Sequence, residues 1–299
     1  MSVQLENLIA TTQTNSDSLG HLFWFSIGQQ MNKVEELKQK LKNSGLGEIW
    51  MPNPIRPVDA FRRATRETQT KKPTATAGVY QNFLMREVYS DNEMVQRNIV
   101  VETVDQKTEK QGEELKYETH SGIIKLDKKN GTFTYEATDP EILELCKEAE
   151  QKFYLYRDHY SGQHIRVMVT KILGSLAPTP MRKNGMIYFI PQAMSDGLNN
   201  LVTFIRSLDQ SEGYQVPVID SSDNRHMVNK KLEDHLDGLL DQCRNSEDLA
   251  KGQIKALVEE TNAAIKDYKQ YRGIVTSEKE DFESKIMTLR SEVLNILKD

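Results

Sequence analysis

The stretch SEKEDFESKIMTLRSEVLNI, Ser277 to Ile296, decides how the rest of the chain is read. Within it Phe282, Ile286, Leu289, Val293 and Ile296 follow at steps of four, three, four and three, the spacing that lines side chains along one stripe of a helix. Glu283, Lys285, Arg290 and Glu292 keep the flanks polar, so the apolar surface is a narrow seam of the kind used by coiled coils and helical hairpins. Ser277, with Glu280 three residues on, has the form of a capping box and sets the expected helix start. Upstream, Leu232, Leu236, Leu239 and Leu240 make one further stripe, and Ile254, Leu257, Ala264, Tyr268, Tyr271 and Val275 another. Breaks are expected between Arg244 and Asp248, where Asn, Ser and Asp can cap, and at Gly273. The 224–299 tract is thus expected to hold three helices. They either pack on the body of their own chain or serve self-association or a protein partner through the Phe282, Ile286, Leu289, Val293, Ile296 seam.

Working outward, the 299 residues suffice for two domains. With 37% hydrophobic residues and a mean hydropathy of -0.61, much of the length must lie in exposed helix and loop. A net charge of -5 argues against wholesale polyanion binding, but the charge is unevenly spread. Arg56, Arg62, Arg63, Arg66, Lys71 and Lys72 face few acids nearby, whereas Glu102 to Glu150 is heavily acidic. Cys146 and Cys243 lie far apart and outside any metal-ligand spacing, which fits a reduced intracellular protein. Met1 to Asn15 lacks a basic segment followed by an apolar core, and no apolar run is long enough to cross a bilayer. A cytoplasmic protein without membrane contact is expected.

Four regions follow: an N-terminal helical segment with a Pro-rich connection (1–72), an antiparallel meander (79–137), an α/β segment (138–220) and the C-terminal helices (224–299). The fold class is α+β. In the first region the aromatic run LGHLFWFSIG, Leu19 to Gly28, fits a strand or a helix equally, and Gln30 to Asn43 is an amphipathic helix closed by Gly45. Three prolines hold Trp50 to Pro57 extended, and the helix Val58 to Thr68 carries the arginines. Lys71 to Gly78 has the composition of a linker. Alternation marks strands at Phe83–Tyr89, Val95–Val104, Leu115–His120, Ile123–Leu126 and Thr132–Tyr135, with Asn130-Gly131 as a type I′ hairpin turn. Helices are expected over Pro140–Tyr156, His164–Leu176 and Met194–Leu208, and strands at Met186–Pro191 and Tyr214–Ile219. The helix, the basic loop Ala177 to Gly185 and the strand after it have the order of a helix and wing in a winged-helix module, with Arg182 and Lys183 placed for a phosphate backbone.

No catalytic signature, Gly-rich phosphate loop or paired CxxC is present, so an enzyme is the less favoured reading and no cofactor is expected. Asp158, His159 and His164 lack a compact third metal ligand. Glu114-Leu115-Lys116 with Asp105 has the ExK form of restriction-type nucleases, a string that also arises by chance. PIRPVDAFRRATRET (Pro54 to Thr68) and GMIYFIP (Gly185 to Pro191) resemble segments of uncharacterised phage and mobile-element proteins of similar length. That resemblance implies a viral or prophage accessory protein, in DNA metabolism or counter-defence, working in the host cytoplasm; it carries no activity. Two functions are expected. One is a non-enzymatic binding protein that uses its C-terminal helices. The alternative is a nucleic-acid binder that uses Arg56, Arg62, Arg63, Arg66, Arg182 and Lys183.

Overall fold

The structure, a computed structural model, describes residues 18–105, 116–137, 139–182, 186–275 and 279–297, with backbone alone for 116–121. The chain divides into two compact units. The first comprises the described parts of Met1–Gln30, Glu36–Pro52 and Gly162–Asp299, and the second Met31–Glu35 and Asn53–Ser161. The 138–220 segment is therefore shared between them, and the second unit is an insertion in the first.

The first unit is built on the aromatic run. Ser18–Ser26 is strand β1, the second strand of an antiparallel sheet ordered β11-β1-β10-β9, with β9 at Thr179–Pro180, β10 at Tyr188–Pro191 and β11 at Glu212–Ile219. Both faces of β1 are covered, which is why its sequence shows a continuous apolar run instead of alternation. Phe23 is fully buried, and Trp24 stacks on its direct cross-strand partner Tyr214 with ring centroids 5.6 Å apart. At Gly20, φ is +154° and a Cβ would lie 2.1 Å from the Ile190 carbonyl oxygen, so a side chain is excluded where β1 meets β10.

Helix α1 (Val34–Asn43) starts four residues later than expected, after the two-residue strand β2 (Asn32–Lys33). It ends as its sequence predicts. Gly45 takes φ +78°, the Leu46 N–H bonds the Leu41 carbonyl at 3.0 Å and the Gly45 N–H bonds that of Lys42 at 3.1 Å.

Counting on through the two helices of the second unit described below, α4 (Gly162–Gly174) and α5 (Ser195–Ser207) belong to the first unit. Helix α5 buries Leu198, Leu201, Val202, Phe204 and Ile205 and packs on the sheet. Three further helices follow, α6 (Ser222–Arg244), α7 (Lys251–Asp267) and α8 (Lys279–Ile296), with breaks at the Ser246–Asp248 turn and after Tyr271. Ser221 caps α6 by accepting from the Asn224 N–H at 3.3 Å. Ser277, the expected cap of α8, lies outside the described residues.

The α8 stripe is occupied within its own chain. Phe282, Ile286, Leu289 and Val293 are buried, with Ile296 partly so, and α8 packs along α6 and α7 beside Leu232, Leu236, Leu239 and Tyr271. Lys285 adds a charged clasp, its ammonium 2.7 Å from Glu233 and 2.8 Å from Asp237 on α6.

The second unit is a curled five-stranded antiparallel meander, β3 to β7 in sequence order: β3 Thr70–Pro73, β4 Val79–Ser90, β5 Met94–Asp105, β6 Lys116–Asp127 and β7 Thr132–Ala137. The expected linker supplies edge strand β3, and the two short strands expected over 115–126 are one strand, β6. Register shifts between Glu87 and Tyr89 and between Ile99 and Val101 place bulges where the sheet bends. Helices α2 (Pro57–Thr68) and α3 (Pro140–Asp158) cover its concave face, burying Phe61, Ile99, Ile124, Leu126, Ile142 and Phe153.

The Asn130-Gly131 turn differs from expectation. Asp127 pairs with Thr132 across a four-residue loop in which Gly131 alone has positive φ, +63°. The Asp127 carboxylate accepts the N–H groups of Lys129 and Asn130 at 2.8 and 2.9 Å, an Asx arrangement that sets a longer loop than the two-residue type I′ turn. The last short strand, β8 (His159–Tyr160), pairs with β2, and the Tyr160 hydroxyl donates to the Asn53 carbonyl at 3.3 Å.

Candidate polyanion-binding site

Helix α2 owes its placement to a polarised sequence. Pro57 starts it at a position where the missing N–H costs nothing, and Ala60, Phe61, Ala64, Thr65 and Thr68 face the sheet. Burying those positions turns Arg62, Arg63 and Arg66 outward. Strand β4 brings Arg86 to the same place and β5 brings Arg97. With Asp59, Gln69 and Met85 these five arginines line an open cleft of about 480 Å³.

Two carboxylates hold part of this charge. Glu87, the cross-strand neighbour of Arg97, lies 3.3 Å from its guanidinium and 3.7 Å from that of Arg62. Glu67 accepts from Arg63 at 2.9 Å and from the Tyr156 hydroxyl. Burial works against its charge, yet these two hydrogen bonds hold its carboxyl below the usual carboxylate range. The Arg63 guanidinium also lies 3.9 Å from the centre of the Tyr156 ring. Arg97 is the best fixed of the set. It donates to Thr65 Oγ1 at 2.6 Å, its side chain is 14% exposed, and its Nε–H is buried without a partner. Among the described residues Arg66 and Arg86 make no ion pair. Gln69 fixes the end of α2 to the sheet by accepting the Met85 N–H at 3.1 Å.

Of the residues expected to bind phosphate, Arg62, Arg63 and Arg66 come together here. Arg56 stands at the start of α2, paired with Asp59 at 2.7 Å. Arg182 lies in the first unit and is exposed, and Lys183 is outside the described residues. For Arg62 and Arg63, pairing is with Glu87 and Glu67, whereas Lys72 reaches into the acidic region through Glu141 at 2.7 Å. Arg86 and Arg97 were not singled out by the sequence. For Arg97 a signal existed, a charged residue at the apolar-face position between Val95 and Ile99.

The family model of a family of unknown function, DUF6744, matches residues 18–299. The chain belongs to DUF6744. No curated protein and no solved structure matches it.

The metal and acid–base chemistry suggested by this family member's sequence is not assembled among the described residues. Asp158 is held by Arg157 at 2.7 Å, and His159 Nδ1 lies 3.0 Å from the Leu155 carbonyl oxygen. Among the described residues no three His, Cys, Asp or Glu side chains group as metal ligands. Glu114 and Leu115 lie outside the described residues. Cys146 is fully buried, and burial pushes its thiol up to about 11, which leaves it protonated and unreactive. No helix among the described residues is long and apolar enough to cross a membrane.

Proposed function

We propose that this protein binds nucleic acid through the arginine cleft of its second unit. One observation carries the reading: in a chain of net charge -5, five arginines line one cleft whose lining includes a single carboxylate, Asp59. Guanidinium groups suit the planar, bidentate recognition of phosphate oxygens, and the open form of the cleft suits a passing backbone better than an enclosed small molecule. The resemblance of residues 54–68 and 185–191 to phage and mobile-element proteins supports placing this activity in a phage or prophage accessory factor, with counter-defence among its uses. The test is fluorescence anisotropy with labelled single- and double-stranded oligonucleotides at low salt. Binding that is weakened in the Arg66→Ala/Arg86→Ala variant supports the reading, and absence of binding by the unaltered protein rejects it.

A second reading keeps the C-terminal helices as a partner surface. Its support is the outward face of α8, where Met287, Leu294 and Leu297 are 61%, 58% and 65% exposed at helical spacing. Association of the chain with itself or with a protein partner would use this face, since the opposite stripe is buried. Light scattering of the Met287→Lys/Leu294→Lys variant tests it: an unaltered protein that is already monomeric removes the self-association form.

A further inference from the structure

The first unit holds a second cavity, of about 490 Å³, between α6, α7 and the loop that carries β9. Its α7 wall is one helical stripe, Glu260, Ala263, Ala264 and Asp267, at steps of three, one and three, continued by Tyr268 and Tyr271. The alanines, with Gly174 and Ala177, leave the space open. Tyr188, Leu232, Pro178 and Pro180 give it apolar walls.

One side of the cavity is rigidly satisfied. Thr179 donates to the Tyr271 hydroxyl at 2.8 Å, and that hydroxyl donates to the Ala177 carbonyl at 2.6 Å, all of it buried. Ala177 is held at φ +52°, unusual for a residue with a Cβ.

The other side is not satisfied. Tyr268, which also lines the neighbouring cavity with Arg272 and Glu283, is 4% exposed, and its hydroxyl is buried without a hydrogen-bond partner. Half-buried Asp267 and His235 make no hydrogen bond or ion pair among the described residues. Burial raises the Asp267 carboxyl above the ordinary range against the smaller pull of Lys266 and Lys269, and it lowers the His235 imidazole against the smaller pull of Glu260. A desolvated carboxylate and imidazole that no hydrogen bond or ion pair holds, lining an apolar-walled cavity of ligand size, mark a place for a polar ligand.

We infer that this cavity binds a small organic amine, with its ammonium group on Asp267 and its apolar body against Tyr188, Leu232 and the two prolines. The sign of the ligand follows from the lining. Asp267 and Glu260 are acidic, His235 is neutral, and the one basic residue in the lining, Arg182, is exposed. A cation compensates the desolvated carboxylate where a neutral or anionic ligand cannot. This site is separate in residues and in ligand charge from the arginine cleft.

The test uses the full chain and three probes of one shape at pH 8: tyramine, its alcohol analogue 4-(2-hydroxyethyl)phenol, and 4-hydroxyphenylacetate. Calorimetry is expected to show tyramine binding, the alcohol at least ten-fold weaker, and no binding of the acid. Asp267→Asn should weaken tyramine at least ten-fold. Ala263→Phe, at an exposed position on the cavity's edge, should abolish it while the circular dichroism spectrum and melting temperature stay unchanged. Absence of tyramine binding, equal binding of the alcohol, or indifference to Asp267→Asn would overturn the inference.

Discussion

Neutralising Arg66 and Arg86 together should flatten the salt dependence of nucleic-acid binding by an amount set by the ion pairs of the cleft. Each phosphate contact on a single strand contributes about 0.7 to the slope of log K against log salt. Arg66 and Arg86 make no ion pair among the described residues and count in full, about 1.4 together. Arg62 and Arg97 are held by Glu87 and Arg63 by Glu67, and they count only where phosphate displaces the carboxylate. The slope of the unaltered protein therefore lies between about -1.4 and about -3.5, a loss of roughly 7- to 130-fold in affinity from 50 to 200 mM salt. Arg66→Ala/Arg86→Ala should remove about 1.4 from the magnitude of that slope, and Glu87→Gln should add up to about 1.4 by releasing Arg62 and Arg97. The assay is anisotropy of a labelled 20-nucleotide strand at four salt concentrations. A slope unchanged in the double variant, or affinity lowered by Glu87→Gln, would refute the assignment of phosphate contacts to this cleft.

Other consequences concern stability. Leu289→Ala, at a fully buried position of α8, should cost about 2–5 kcal/mol in urea unfolding, whereas a seam free for a partner would lose almost nothing. Gly20→Ala forces a Cβ against the Ile190 carbonyl and should cost at least about 1–3 kcal/mol, read as a lower melting temperature. Asp139→Ala removes the acceptor of the Ile142 N–H at 2.9 Å and should cost about 1 kcal/mol. Burial depresses His235 below its ordinary 6.5, so on acidification the unfolded chain takes up this proton before the folded one does. Stability should fall as pH drops below 6.5, and His235→Gln should reduce that fall in a urea midpoint series. An identical pH profile in the variant would contradict the assignment.

Local patterns made much of this fold readable. The α8 spacing and the Gly45 stop needed nothing beyond neighbouring residues, and both appear as read. What the α8 stripe would pack on was a different kind of question, because a seam with a four-three repeat looks the same whether its partner is α6 of the same chain or a second molecule. The aromatic run of β1 was ambiguous because a strand covered on both faces loses the alternation that identifies strands. Strand β3 was hidden by Lys71, Lys72 and Pro73, residues that an edge tolerates and a central strand does not. In the cleft, the α2 arginines were adjacent in sequence and therefore visible. Arg86 and Arg97 join them through the β4–β5 register, which a bulge shifts by one residue beyond Glu87. The amine cavity was out of reach for the same reason: Asp267 and His235 sit on helices whose facing sides are settled by packing.

The bond from Tyr160 to Asn53, with the short β2–β8 ladder beside it, ties the entrance and exit of the second unit together. Residues 18 and 297 both belong to the first unit. The arginine cleft therefore lies on a segment whose two ends its own hydrogen bonds hold side by side.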